Sequence, residues 1–152
     1  MPLDPKDFLK LSEQLYADQR YYHIKEAVLR TAISRTYYAT FLTMRELVRS
    51  KLVNTPLLNQ FERVSTSGLT HSLIKSVISR VDIHLGNMYG KLFVMRKKAD
   101  YELNITIKDR DVEEVLEIAK KLLNLSTKIY GSLKVAEISS IIMEYYQKLR
   151  KS

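Results

Sequence analysis

Apolar residues recur at the spacing of an α-helix through most of the chain. A first predicted helix opens at Asp4-Pro5, where Asp4 can cap the helix and Pro5 suits the first helical position, and Phe8 and Leu15 lie on its apolar stripe. A second and longer helix is predicted from about Ile24 to Leu52, before the breaker Asn54-Thr55-Pro56. The pattern therefore begins with two helices of unequal length.

The rest of the chain continues the same pattern. Gly131 marks a place where a helix can kink or end. Four further helices are predicted, from a capping Thr70 to Val81, from about Leu85 to Leu103, from Thr106 or Asp109 to Leu123, and from Val135 to Leu149. Together the segments predict an all-α fold, an antiparallel up-and-down bundle of five to six helices.

The composition favours one helical domain over residues 1–152, with residues 132–152 as a C-terminal helical extension. The 4 glycines and 3 prolines are too few for the many turns of a β-sandwich or barrel. The absence of cysteine excludes disulfides, thiolate zinc sites and cysteine nucleophiles. Because the chain starts without a signal-peptide pattern and its longest uncharged stretch, 64–74, is too short to span a bilayer, we expect a cytoplasmic protein without membrane contact.

The chain is basic, with 25 Lys+Arg against 17 Asp+Glu and a formal net charge of +8. A basic surface attracts phosphate groups, which favours nucleic acids and nucleotides as partners. A lysine-rich solvated surface explains the same charge without any partner. The charge alone therefore does not identify a ligand.

Two arginines occupy helical positions where apolar residues are expected. Arg35 lies seven residues from both Val28 and Leu42, so its side chain leaves the second predicted helix within an apolar sector. On the fourth predicted helix, Arg96 lies four residues after Leu92 and three before Ala99, so its side chain also leaves the helix within an apolar sector. An unpaired buried charge costs several kcal/mol, so we expect both arginines to be partly buried beside an anionic partner.

Asp100 is the nearest candidate partner. It follows Arg96 by four residues, so it can bind Arg96 on the same helix or reach Arg35 on a neighbouring helix. One interpretation is an internal salt bridge that fixes helix packing. The other is a polar cleft in which Arg35 and Arg96 face a phosphate-bearing ligand.

Three blocks of the chain resemble the signature blocks of small HEPN-domain proteins, and the resemblance extends over about residues 8 to 130. The blocks are AISRTYYATF from Ala32 to Phe41, TH at Thr70-His71, and RKKADY from Arg96 to Tyr101. The resemblance implies an antiparallel helical bundle that is commonly a homodimer. It also implies membership of a group that includes RNA-cleaving toxins and proteins encoded beside minimal nucleotidyltransferases.

Catalytic members of that family use an arginine followed after four to six residues by a histidine, in a metal-independent cleavage where the RNA 2′-hydroxyl attacks the adjacent phosphate. Arg96 matches the arginine, but Asp100 and Tyr101 stand where the histidine belongs. An aspartate lacks the near-neutral pKa that lets imidazole act as both acid and base. Arg96, Asp100 and Tyr101 are therefore the catalytic candidates of a ribonuclease whose activity the missing histidine puts in question.

The candidate cleft residues are Arg35, Tyr38, His71 and Arg96. Tyr38 can face the cleft or hydrogen-bond its neighbours within the core. His71 follows the predicted cap of the third helix, where it can also tie the preceding loop to the bundle. Helical spacing makes Tyr101 point away from Arg96, towards a dimer contact or solvent.

These observations favour a HEPN-domain module that forms a homodimer and pairs with a minimal nucleotidyltransferase in a toxin–antitoxin-type system. A metal-independent HEPN ribonuclease is one alternative. A non-catalytic module that binds RNA or a nucleotide is the other, and salt-sensitive binding would distinguish it. We expect no metal and no cofactor in any of the three.

Overall fold

The computed structural model describes residues 2–152, and this part of the chain is helical without a β-strand. The all-α prediction is confirmed. None of the described helices is both long and apolar enough to cross a lipid bilayer. The elements are α1 (Asp7–Ala17), a 3₁₀-helix (Gln19–Ile24), α2 (Lys25–Leu52), α3 (Leu58–Ser65), α4 (Thr70–Val81), α5 (Ile83–Tyr101), α6 (Asp109–Asn124), α7 (Ser126–Ser132) and α8 (Val135–Lys151).

The structure therefore contains eight α-helices in residues 2–152, where the sequence pattern predicted five to six. The additional elements are the short helices α3 and α7. Phe61 and Val64 of α3 are buried although their surroundings in the sequence are polar, and Leu125 separates α7 from α6 within one continuous apolar pattern. The predicted cap Thr70 is instead the first residue of α4, after Leu69 at the N-cap, and its hydroxyl has no hydrogen-bond partner among the described residues.

The chain divides into two compact units, and the first contains residues 2–43 and 88–124. It is built from α1, the 3₁₀-helix, the first part of α2, most of α5, and α6. Its core includes Ile33, Tyr37, Tyr89 and Leu92, each with no exposed surface. Helix α1 packs on α6, and the Lys120 Nζ lies 2.5 Å from the Glu13 Oε1 across this contact.

The second unit contains residues 44–87 and 125–152. Helix α8 packs against α3 and α4, and the Ser76 and Tyr145 hydroxyl oxygens are 2.9 Å apart within this unit. The predicted C-terminal extension, 132–152, thus includes a helix with buried residues such as Ile142. Gly86 lies within α5, and a Cβ at this position would overlap the side chain and Cα of Ser79.

Candidate functional site

Arg96 lies on the part of α5 that belongs to the first unit, and its side chain is 13% exposed. Its Nε is 2.8 Å from the Asp100 Oδ2, one helical turn further on, but this N–H has no hydrogen-bond partner among the described residues, so the contact is an ion pair without hydrogen-bond geometry. The Arg96 Nη2 donates a hydrogen bond of 2.9 Å to the Tyr38 hydroxyl. The predicted partial burial of Arg96 is confirmed, and of the two partners that the sequence left open for Asp100, the structure shows Arg96.

Two aromatic rings flank the Arg96 guanidinium. Its central carbon is 5.4 Å from the ring centroids of Tyr38 and Tyr101, within the range of a cation–π contact. The expectation that Tyr101 points away from Arg96 is wrong. Tyr101 is the last residue of α5 and 69% exposed, so its ring is free to turn back along the helix towards the long arginine side chain.

Arg35 is half-buried on α2 and differs from Arg96 in its partners. Its guanidinium carbon is 5.7 Å from the Phe8 ring and 5.6 Å from the Tyr38 ring. No carboxylate within residues 2–152 forms an ion pair with it, because Asp100 pairs with Arg96 instead. The Tyr38 ring therefore has two guanidinium groups within 6 Å of its centroid, and only one of them is neutralised.

The charge state of Arg96 is set by its surroundings. Burial would lower the pKa of Arg96, but the neighbouring Tyr38 and Asp100 outweigh this effect, so the pKa is raised above its ordinary value and the guanidinium stays charged. The Ser34 hydroxyl lies 3.3 Å from the Asp100 Oδ2 and donates to it. We name Arg35, Tyr38, Arg96, Asp100 and Tyr101 the arginine–tyrosine cluster.

Buried tyrosines support the arginine–tyrosine cluster from the core. The Tyr37 ring contacts the Tyr38 ring edge to face at a centroid distance of 5.7 Å. The Tyr37 and Tyr89 hydroxyl oxygens are 3.0 Å apart in the interior of the first unit. Burial raises the pKa of both Tyr37 and Tyr89, so the phenols stay neutral at ordinary pH.

Arg30 contacts the chain segment that carries part of the arginine–tyrosine cluster, and the sequence did not predict this. Its side chain is 13% exposed and pairs with Glu26, whose pKa is lowered by the hydrogen bonds that it accepts from Arg30. The spacing of four residues indicates this pair, but nothing in the sequence indicates its other partners. The Arg30 guanidinium also donates to four backbone carbonyl oxygens at and beyond the end of α5, those of Lys98, Ala99, Glu102 and Ile105.

This contact fixes the chain segment that carries Asp100 and Tyr101. The last carbonyls of a helix lack partners within the helix, and a buried guanidinium satisfies them with charge of the favourable sign. Glu26 extends the contact by accepting a 3.4 Å hydrogen bond from the backbone N–H of Ile107. Arg30 is therefore a positioning residue for the arginine–tyrosine cluster.

The remaining candidate, His71, lies near the start of α4 in the second unit and is half-buried. It interacts with other described residues. The structure thus brings together Arg35, Tyr38, Arg96, Asp100 and Tyr101 within the first unit, and His71 belongs to the other.

The arginine–tyrosine cluster offers two kinds of chemistry. Guanidinium groups bind phosphate oxygens through paired N–H donors, while Asp100 and the Tyr101 hydroxyl are able to accept or donate protons. Within residues 2–152, no group of three His, Asp or Glu side chains is arranged to hold a metal ion. The cluster contains two cations, Arg35 and Arg96, but only one carboxylate, that of Asp100. Its excess of positive charge favours an anionic ligand.

Comparisons with known proteins add one relative. No protein-family model matches the chain, and no solved structure matches it. The chain is 26% identical over 122 residues to an uncharacterized protein of Methanocaldococcus jannaschii, an alignment that covers 75% of this chain and 72% of the relative. The name of this relative states no activity, so the chemistry must be argued from the arginine–tyrosine cluster itself.

Proposed function

We propose that the chain is a HEPN-like module whose arginine–tyrosine cluster binds a phosphate group of RNA or of a nucleotide. The observation that carries the proposal is the state of Arg35, a half-buried guanidinium that contacts two aromatic rings and has no carboxylate partner within the described residues. Burying an unpaired charge is unfavourable unless a counter-ion is supplied. A bound phosphate supplies it, and Arg35 keeps its N–H donors for that ligand.

In this proposal the protein acts as a homodimer that pairs with a minimal nucleotidyltransferase in a toxin–antitoxin-type system. Support for the dimer comes from large apolar side chains exposed on and after α5, those of Val94 (46%), Tyr101 (69%) and Leu103 (81%). Such residues are covered when two chains associate. The proposal of a nucleotidyltransferase partner rests on the resemblance of the three sequence blocks. Co-purification with the product of an adjacent gene tests this proposal.

The phosphate proposal is tested by binding of a fluorescent single-stranded RNA at several salt concentrations. Arg35→Ala is expected to weaken binding by about 10-fold or more, because a hydrogen bond to a charged group contributes about 1.5–3 kcal/mol. Arg80→Ala is the matched control, since Arg80 is exposed on α4 in the second unit and its loss changes the net charge equally. Equal affinities of the two variants would contradict a phosphate site at Arg35.

A metal-independent ribonuclease is the second candidate function. Asp100 favours it, because this carboxylate lies beside the guanidinium of Arg96 and is 25% exposed, in reach of a bound ligand. The purified protein and Arg96→Ala are incubated with a mixed RNA pool in the presence of a chelator. Cleavage that depends on Arg96 would favour the ribonuclease, whereas intact RNA with both proteins would favour a binding module.

A further inference from the structure

The first unit contains a cleft that the arginine–tyrosine cluster does not use. It has a volume of about 590 Å³ and lies where the 3₁₀-helix joins α1 to α2. Clefts of a few hundred Å³ are the usual size of sites for small organic ligands. The apolar part of its lining comes from Leu15, Val28 and Leu29.

Three tyrosine rings also line the cleft. The Tyr16 hydroxyl donates a 2.6 Å hydrogen bond to Glu113 on α6, which holds this ring in place as a wall of the cleft. Tyr21 and Tyr22 on the 3₁₀-helix are 38% and 76% exposed, although they are large and aromatic. Exposed aromatic rings beside a cleft are suited to stacking against a planar ligand.

The charged groups of the cleft are already paired with each other or with neighbours. The Lys25 Nζ lies 2.8 Å from the Asp109 Oδ2, and Asp18 forms an ion pair of 2.7 Å with Arg20. An anionic ligand would therefore meet two carboxylates and no unpaired cation. The side-chain amide of Gln19, also in the lining, has no hydrogen-bond partner among the described residues and offers both a donor and an acceptor.

These properties select an uncharged planar ring with polar edges. We propose that the cleft binds a nucleobase, which stacks on the exposed tyrosine rings and directs its polar edge to Gln19. An aliphatic ligand would leave the polar rim unused, and a phosphate alone would find no unpaired cation in the cleft. The ligand class is therefore a nucleoside or the base of a single-stranded nucleic acid.

The cleft lies along the same two helices as Arg35 and its contact Phe8. Val28 in the cleft and Arg35 are seven residues apart on α2, and Leu15 in the cleft and Phe8, which contacts Arg35, are seven residues apart on α1. Residues at this spacing lie on the same face of a helix, about 10 Å apart along its axis. A smaller apolar groove of about 200 Å³ shares Leu15 and Val28 with the cleft and extends along α2 as far as Thr31, one helical turn before Arg35.

One ligand can therefore place a base in the cleft and a phosphate at Arg35. This arrangement is typical of single-stranded nucleic-acid binding, in which aromatic side chains stack the bases and cations hold the backbone. The assignment of the base to RNA rests on the proposed function, while the nucleobase site itself does not.

The test uses two probes on the full chain. Adenosine and uridine, which carry no phosphate, report on the cleft alone, and their binding is followed by saturation-transfer NMR. A fluorescent single-stranded RNA reports on the cleft together with Arg35. Tyr22→Ala is expected to weaken binding of both probes by about 5- to 100-fold, the effect of losing one stacked base. Because Tyr22 is 76% exposed, its removal leaves the core intact, and a thermal melt verifies the fold.

Matched variants separate stacking from other effects. Tyr22→Phe keeps the ring and is expected to bind both probes as the unaltered protein does. Tyr130→Ala removes a tyrosine of the second unit that is 37% exposed and is expected to have no effect. Arg35→Ala is expected to weaken RNA binding while nucleoside binding stays unchanged.

Each outcome bears on one of the two proposals. If the unaltered protein binds neither nucleoside, or if Tyr22→Ala binds them as Tyr130→Ala does, the nucleobase site is overturned, even where RNA binding still depends on Arg35. If the nucleosides bind through Tyr22 but RNA binding does not depend on Arg35, the nucleobase site is supported and the phosphate proposal is overturned.

Discussion

Three arginines of the first unit carry the same charge but have different partners, and the partner decides what each can do. Arg30 donates to backbone carbonyls and therefore holds the end of α5. Arg96 is bound by Asp100 and Tyr38. Arg35 contacts only aromatic rings, so its N–H donors are available to a ligand.

The ion pair of Arg96 and Asp100 is expected to contribute moderately to stability. Asp100→Ala should lower the free energy of unfolding by about 1–3 kcal/mol, between the values for exposed and fully buried pairs, because Arg96 keeps its hydrogen bond to Tyr38. Urea unfolding measures the change. Glu144→Ala is the control, since Glu144 and Lys148 form an exposed pair with the same spacing, and its effect should stay below about 0.5 kcal/mol. Equal effects of both variants would mean that the Arg96 pair behaves as a solvated one.

At the scale of elements, long helices were predictable and short ones were not. The predicted second helix, about 24–52, agrees with α2, and the predicted range from Thr70 to Val81 agrees with α4, because several turns of apolar residues define a period. Helices α3 and α7 have 8 and 7 residues and contain too few periodic positions. Periodicity describes only residues within one helix, and this limit also applies to the site. It indicated Arg35, Arg96 and Asp100, each from its place on a single helix. It could not indicate the contact of Arg30 with a chain segment distant in the sequence.

Arg30→Ala should loosen the end of α5. The variant leaves carbonyl oxygens such as that of Ala99 without a donor, which is expected to lower the free energy of unfolding by about 2–4 kcal/mol. Hydrogen exchange of the backbone amides in residues 98–107 should also become faster. Arg30→Lys should recover little, since an ammonium group cannot reproduce the spread of donors of a guanidinium. Amide protection that is unchanged in this segment would show that other contacts hold it.

Two glycine substitutions in helices should have opposite signs. Gly86→Ala places a Cβ against the backbone and side chain of Ser79, and we expect a loss of about 1–3 kcal/mol in stability. Gly131→Ala, in α7, meets no atom within 4 Å, so the higher helix propensity of alanine should leave stability unchanged or raise it by up to about 1 kcal/mol. Thermal melts of both variants measure the difference. A Gly86→Ala protein as stable as Gly131→Ala would imply that α4 and α5 can separate there without loss.

In the proposed dimer, the positive charge of the chain and its exposed apolar surface have opposite effects on association. The net charge of +8 attracts RNA but repels a second copy of the chain. Added salt should therefore weaken RNA binding through counter-ion effects, while it leaves a dimer held by apolar contacts intact. The two associations are separable by ionic strength alone.

The proposed dimer should depend on the exposed face of α5. Light scattering is expected to give twice the chain mass for the unaltered protein and the mass of one chain for Val94→Glu, because a carboxylate in an apolar interface is not solvated. Val53→Glu is the control, as Val53 is 52% exposed and belongs to the second unit. A monomeric unaltered protein at micromolar concentration, or dissociation by both variants alike, would count against this interface.

The buried hydroxyl pair of Tyr37 and Tyr89 has a consequence for the alkaline limit of the fold. Their pKa values are raised in the folded protein, so the neutral phenols stabilise the fold below the ordinary tyrosine pKa, and that stability is lost as the pH rises above it, when the unfolded chain ionises first. In an absorbance titration of tyrosinate, the last part of the signal should therefore appear only together with loss of the helical circular dichroism. Alkaline pH would thus favour the unfolded chain, because the two buried phenols can ionise there and stay neutral in the folded protein.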